Sequence, residues 1–240
     1  MFEADRTLIG AIRTALHSVR DPVKAGPMQA YIKSAMPLLG VQKPEQVKVL
    51  NPVLQAHPLP DAKTWRATVL TTFREATYRE EWSAALAILA WPRYHPWLNP
   101  EALPLFEALI VEGAWWDIVD EVATRRLGPV LANARKELTP TLHDWATDKD
   151  RWKRRTSIIV QLKHKDETDL QLLTYAIEQN LDDKDFFLRK AIGWALRQYA
   201  RTDPAWVESF VASHYERLSN LSRREALRIL WKEGRASSLR

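Results

Sequence analysis

Apolar residues recur at intervals of three and four along nearly the whole chain, and no run alternates in strand fashion between hairpin turns. The first pattern lays an apolar stripe along a helix, whereas a half-buried strand needs the second. The chain is therefore expected to be all-α. Prolines and capping residues divide it. An amphipathic helix is predicted from Phe2 to residue 19, ending before Asp21 and Pro22, and a second opens on Pro27 as its first helical residue and stops within 37–40. Pro44 opens a third, and Asp61 is the N-cap of a fourth, with a fifth over 79–91. Residues 112–123, EGAWWDIVDEVA, read as one helix. Further helices are expected over 129–137, 140–146, 150–163, 168–180, 184–200 and 203–213, and Ser222 with Glu225 forms a capping box for a last helix over 223–231.

Helices of this length joined by short loops suggest stacked hairpins, a HEAT-like helical-repeat solenoid formed as a single domain over residues 1–240. The segment PRYHPWLNP, residues 92–100, holds three prolines and reads as a loop between repeats. Helices that carry tryptophan beside charge return at comparable intervals, with Trp116 and Trp152 separated by 36 residues and Trp152 and Trp194 by 42. In a solenoid such residues line one surface, so a concave groove is expected.

Charge indicates what that groove would face. Residues 1–147 carry sixteen bases and sixteen acids, while residues 148–240 carry nineteen bases and fourteen acids, so the net charge of +5 arises wholly in the last part. A basic bias on one part of a chain suits a polyanion partner. No cysteine is present, which excludes disulfides, thiolate metal sites and cysteine nucleophiles. Six histidines show no metal-ligand spacing, and the seven glycines form no phosphate-binding loop or nucleophile elbow. No metal is expected. The longest uncharged apolar run, residues 82–92, is too short for a bilayer, and the first ten residues are acidic where a signal peptide is basic, so the expected location is the cytoplasm.

Three helices carry residues suited to chemistry. Trp116 and Asp120 stand four apart, which puts an aromatic plane and a carboxylate on one face, although a core tryptophan beside solvated acids fits the same spacing. Lys190, Trp194, Arg197 and Arg201 form a single stripe on FFLRKAIGWALRQYAR. That stripe reads either as a face tracking a nucleic-acid backbone with one aromatic presented, or as a rim tryptophan packed under arginine stems. Arg151, Arg155 and Lys163 align on DRWKRRTSIIVQLKHK, leaving Trp152, Ile159 and Leu162 to pack inward, while Arg154 reads as a solvated charge.

Taken in order, PMQAYIKSAMPLLGV, LIVEGAWWDIVDEVA, RWKRRTSIIVQLKHK, DKDFFLRKAIGWALRQYARTDP and LSRREALRIL resemble the AlkD-type DNA alkylation repair proteins, the HEAT-like-repeat alkylpurine DNA glycosylases. The WWD-x-x-D and AIGW-x-LR-x-YA-x-T-x-P motifs carry the likeness most specifically. The resemblance implies a monofunctional hydrolase, needing no cofactor, that cleaves the N-glycosidic bond of cationic purines such as 3-methyladenine and 7-methylguanine in double-stranded DNA. It implies Asp120 as the catalytic carboxylate with Trp116 and Trp194 flanking the lesion, and Arg155, Lys163 and Arg197 at nearby phosphates. Tyr31 falls at the family's aromatic position on an early helix. A monomer in the bacterial cytoplasm or nucleoid is expected. Two other readings suit the same residues: a damage-binding protein with little or no glycosylase activity, and a scaffold for an acidic protein.

Overall fold

A computed structural model describes residues 3–236 and 239, so Phe2, the expected start of the first helix, lies outside the described residues. Every regular element among them is helical, as the periodicity predicts. The chain divides between Leu98 and Asn99 into two compact units, and this division falls inside the segment expected to join repeats.

The first unit holds α1 (Arg6–Ser18), α2 (Pro22–Ile32), α3 (Lys43–Ala56), α4 (Ala62–Arg74) and α5 (Arg79–Ala90). Its core is drawn from the stripes the spacing predicts: Leu8, Ile12 and Leu16 of α1, Leu50 and Leu54 of α3, Trp65 and Val69 of α4, and Ile88 and Leu89 of α5. The Asp61 carboxylate caps α4, accepting from the Thr64 amide at 2.8 Å. α2 corrects the sequence reading. Asp21 and Pro22 begin it rather than merely ending α1, because the Asp21 carboxylate accepts from the amides of Val23 and Lys24, and Pro27 is carried inside the helix. The helix ends at Lys33, whose φ of 53° is left-handed, and none of its residues is buried. The proline-rich stretch is also structured. Pro92–Trp97 forms a 3₁₀ turn in which Tyr94 is wholly buried, its hydroxyl accepting from the Leu59 amide at 2.9 Å while its ring stacks on Trp97.

The second unit holds α6 (Leu103–Gly113), α7 (Trp116–Val122), α8 (Gly128–Asn133), α9 (Arg135–Ala146), α10 (Arg151–Ile159), α11 (Leu170–Glu178), α12 (Phe186–Tyr199), α13 (Pro204–Ser213), α14 (Asn220–Ala226) and α15 (Arg228–Lys232). Neighbouring helices pack α6 on α7, α9 on α10, α10 on α12 and α12 on α14. Between them lies a core that includes Ile158, Ile159, Leu173, Ile177, Leu188, Ile192, Leu196, Val207 and Leu230.

Three boundaries depart from expectation in ways that shape the site. The helix read over 112–123 is broken at Ala114, a left-handed residue with φ 38°, so Trp116 opens a new helix instead of continuing an old one. α10 stops at Ile159, which leaves Lys163 beyond the helix rather than on its face. The last helix expected over 223–231 is instead two: α14, capped by Ser219, whose hydroxyl accepts from the Ser222 amide at 3.0 Å, ends at Ala226, and α15 follows from Arg228. Glu225 is therefore not a capping residue. Its carboxylate is engaged elsewhere.

Candidate functional site

Trp116, Asp120 and Trp194 stand together in the second unit. They form a wall shared by two open clefts: one of about 390 Å³, also lined by Asp117, Glu121, Thr124, Arg125, Lys163 and Gln198, and one of about 290 Å³, also lined by Arg155, Phe186, Phe187, Lys190 and Arg197. The alternative in which Trp116 is simply a core residue does not describe this arrangement. Its neighbour Trp115, half-buried like Trp116, turns away from the clefts and packs against the rings of Trp152 and Phe187 with centroids 6.4 and 5.6 Å away.

The break at Ala114 builds this division. With α7 beginning at Trp116, the Trp116 side chain projects from the first turn and Asp120 from the next, on the same face. Ile118, Val119 and Val122 occupy the opposite face and are buried. A wide π-helical turn, Ala123–Leu127, follows, and the Thr124 hydroxyl donates to the Asp120 carbonyl at 2.7 Å.

Asp120 is fixed by Arg155. Nε and Nη2 of Arg155 donate to Oδ1 and Oδ2 of Asp120, each at 2.8 Å, and Nη1 donates to the Phe187 carbonyl at 2.5 Å. This is a fork-on-fork pair with one side occluded: the Arg155 side chain is 4 % exposed and that of Asp120 is 16 %. Burial pushes the Asp120 carboxyl above the usual carboxylate range, the hydrogen bonds and charge of Arg155 pull it back, and Asp117 adds a smaller upward push. Each oxygen still has a lone pair beyond the one Arg155 engages. The carboxylate is held in one orientation with an edge available to the clefts.

The structure places Arg155 behind the carboxylate: its guanidinium is buried, and its donors are directed at Asp120 and at the Phe187 carbonyl. The alignment of Arg151, Arg155 and Lys163 dissolves for the same reason. Arg151 turns outward, pairs with Asp185 at 3.1 Å and lies over the rings of Trp152 and Phe187. Lys163 lines the larger cleft from the turn after α10. Arg154 pairs with Asp183 at 2.6 Å and adds nothing to the clefts.

The stripe on α12 fits its expected geometry more closely. Lys190, Trp194 and Arg197 all line the smaller cleft, and Arg201 is exposed one turn beyond Arg197. Tyr31 stands on α2 in the first unit, 79 % exposed. Three contributors escaped the sequence reading. Phe186 and Phe187 open α12 behind the Asp185 cap and line the smaller cleft, Phe186 being 59 % exposed. Glu225 is the third. Among the described residues no three His, Cys, Asp or Glu side chains gather as a metal site, and no helix is long and apolar enough to cross a membrane.

Comparison with known proteins gives this geometry a context. One solved structure, a predicted DNA alkylation repair enzyme from Enterococcus faecalis, is 30 % identical, with a TM-score of 0.79, over 89 % of this chain and 97 % of that one. A second, the Pseudomonas fluorescens alkylpurine DNA glycosylase AlkC bound to DNA containing an abasic site analogue, superposes with a TM-score of 0.55 at 16 % identity. The match covers 98 % of this chain and 64 % of that protein, and it establishes a shared helical-repeat fold. No curated protein matches. The model of the DNA alkylation repair enzyme family matches residues 12–230, nearly the whole length, and the chain belongs to that family.

Proposed function

We propose that this protein is a monofunctional DNA glycosylase that removes cationic alkylated purines, of the 3-methyladenine and 7-methylguanine type, from duplex DNA and leaves an abasic site. The observation that supports this reading best is the Asp120 carboxylate, immobilised by Arg155 and set between two tryptophans at the junction of two open clefts. Membership of a DNA alkylation repair family supports the substrate class.

The chemistry follows from the charges. A purine alkylated at N3 or N7 already bears positive charge, so cleavage of the bond between C1′ and the base sends the electron pair onto the base and releases it neutral. The difficult partner is the sugar, which becomes oxocarbenium-like. A carboxylate beside C1′ stabilises that cation and orients a water whose oxygen bonds to C1′ while its proton passes to Asp120 and then to solvent. Pre-orientation by Arg155 means that the carboxylate does not reorganise as charge develops. The faces of Trp116 and Trp194 favour a cationic ring by about 0.5–2 kcal/mol each, which discriminates against undamaged bases. Lys163, Lys190, Arg197 and Arg201 supply charge for phosphates, with Tyr31 and Arg151 as further DNA contacts. The protein works as a monomer, without a cofactor, on DNA in the cytoplasm.

Charge selectivity tests this reading. Duplexes carrying 3-methyladenine or 7-methylguanine should lose the free base, and a duplex carrying the neutral base hypoxanthine should keep it. Equal release of hypoxanthine, or no release of either methylpurine, would sink the assignment.

A further inference from the structure

Glu225 is the buried acid that the sequence pattern assigned to a helix cap. It is 8 % exposed on α14, and its two oxygens go to two cations of one other helix: Oε2 to Lys190 Nζ at 2.6 Å and Oε1 to Arg197 Nη1. These cations lie seven residues apart on α12 and bracket Trp194, and all three line the smaller cleft with Asp120. The approach is close because of Gly193. A Cβ there would sit 2.5 Å from the Glu225 Cβ and 2.9 Å from the Ser222 carbonyl, so only glycine lets α14 lie against α12 and bring the carboxylate between its two partners. The Ser222 hydroxyl, donating to the Arg189 carbonyl at 2.9 Å, fastens the same crossing.

We infer that Glu225 is a positioning residue, whose one carboxylate sets Lys190 and Arg197 on either side of Trp194 as a two-point clamp for the phosphates flanking a damaged nucleotide. The inference rests on the proposed function only in taking damaged DNA as the ligand. Without an acid between them, two cations on one face would repel each other and lose their fixed geometry to side-chain freedom. With one acid, they are ordered and an excess of positive charge remains. Burial and the guanidinium groups of Arg197, Arg228 and Arg155 hold the Lys190 ammonium below its ordinary value, and burial with Arg228 and Arg201 does the same to Arg197. A cationic cluster that one carboxylate does not neutralise is suited to take a further anion, and a phosphate diester supplies it.

The test compares the parent with Glu225→Gln and Glu225→Asp on labelled duplexes, one carrying a tetrahydrofuran abasic-site analogue and one undamaged. The parent should prefer the damaged duplex. Glu225→Gln should lose about tenfold of that preference through misplacement of the clamp, with undamaged binding unchanged or tighter because one negative charge is gone. Glu225→Asp keeps the charge but is one methylene too short to span both cations, and should resemble Glu225→Gln in preference. Preference retained in both variants, both affinities falling together, a parent-like Glu225→Asp, or a parent without preference would each overturn the inference. Base release by the parent is scored separately. Discrimination that depends on Glu225 in a protein that releases no methylpurine would leave the clamp standing and remove the glycosylase reading.

Discussion

At the scale of single residues, the Asp120–Arg155 pair carries the account, and its removal has a predictable sign. Arg155→Gln leaves a largely buried carboxylate without its partner, a loss of about 3–5 kcal/mol in such pairs, read by chemical unfolding. The pH dependence moves as well. Burial already raises the Asp120 pKa, and Arg155 is what lowers it, so its loss raises the pKa further. On the proposed mechanism activity requires the carboxylate, so kcat/KM falls as pH drops through that pKa, and the acid limb of the Arg155→Gln profile should lie at higher pH than the parent's. An acid limb that stays in place would show that another group controls it. Stability carries the opposite trend. An acid whose folded pKa is raised stabilises the folded form fully below its unfolded pKa, and that contribution is lost as pH rises through the folded value. At this scale the sequence was partly legible. Spacing placed Trp116 with Asp120 and Trp194 with its cations, because i,i+4 geometry is local. It did not show the partners of Arg155 and Glu225, because which charge pairs with which depends on helices that meet across 35 residues of chain.

At the scale of elements, two glycines predict opposite outcomes. Gly193 has no room for a Cβ at the α12–α14 crossing, whereas nothing lies within 4 Å of the Cβ position of Gly10 in α1. Gly193→Ala should destabilise by about 1–3 kcal/mol through overpacking and weaken the Glu225 arrangement with it. Gly10→Ala should stabilise by about 0.4–1 kcal/mol by restricting the unfolded chain. Thermal unfolding of the two variants checks both signs, and a stabilising Gly193→Ala would show that α14 is not held so closely. Elements were legible where caps are chemical: Asp61 caps α4 where it was read. The break at Ala114 was not. Alanine favours helix and adopts a left-handed conformation at a cost of about 1–2 kcal/mol, so its sequence signal points the wrong way and only the tertiary placement of α7 outweighs it.

At the scale of the whole molecule, the positive excess of the last 93 residues should appear as salt-dependent binding to undamaged duplex. Each side chain that neutralises a phosphate contributes about one to the log–log slope of affinity against salt. Lys163→Gln and Arg201→Gln, both at exposed positions, should each lower the slope by about one without changing the melting temperature. Arg155→Gln should change the slope little, because its charge is already directed inward. The all-helical architecture was legible throughout, since periodicity reports helices directly. The division at Leu98 was marked only by prolines, whose aromatic neighbours Tyr94 and Trp97 pack into the first unit. The central claim is that Asp120 performs the chemistry and does not hold the DNA. Single-turnover release of 7-methylguanine from methylated duplex by the parent and by Asp120→Asn, with duplex binding followed alongside, tests it most directly. The account predicts release that falls by at least about a hundredfold in the variant at near-parental affinity. Equal release by both proteins would contradict it.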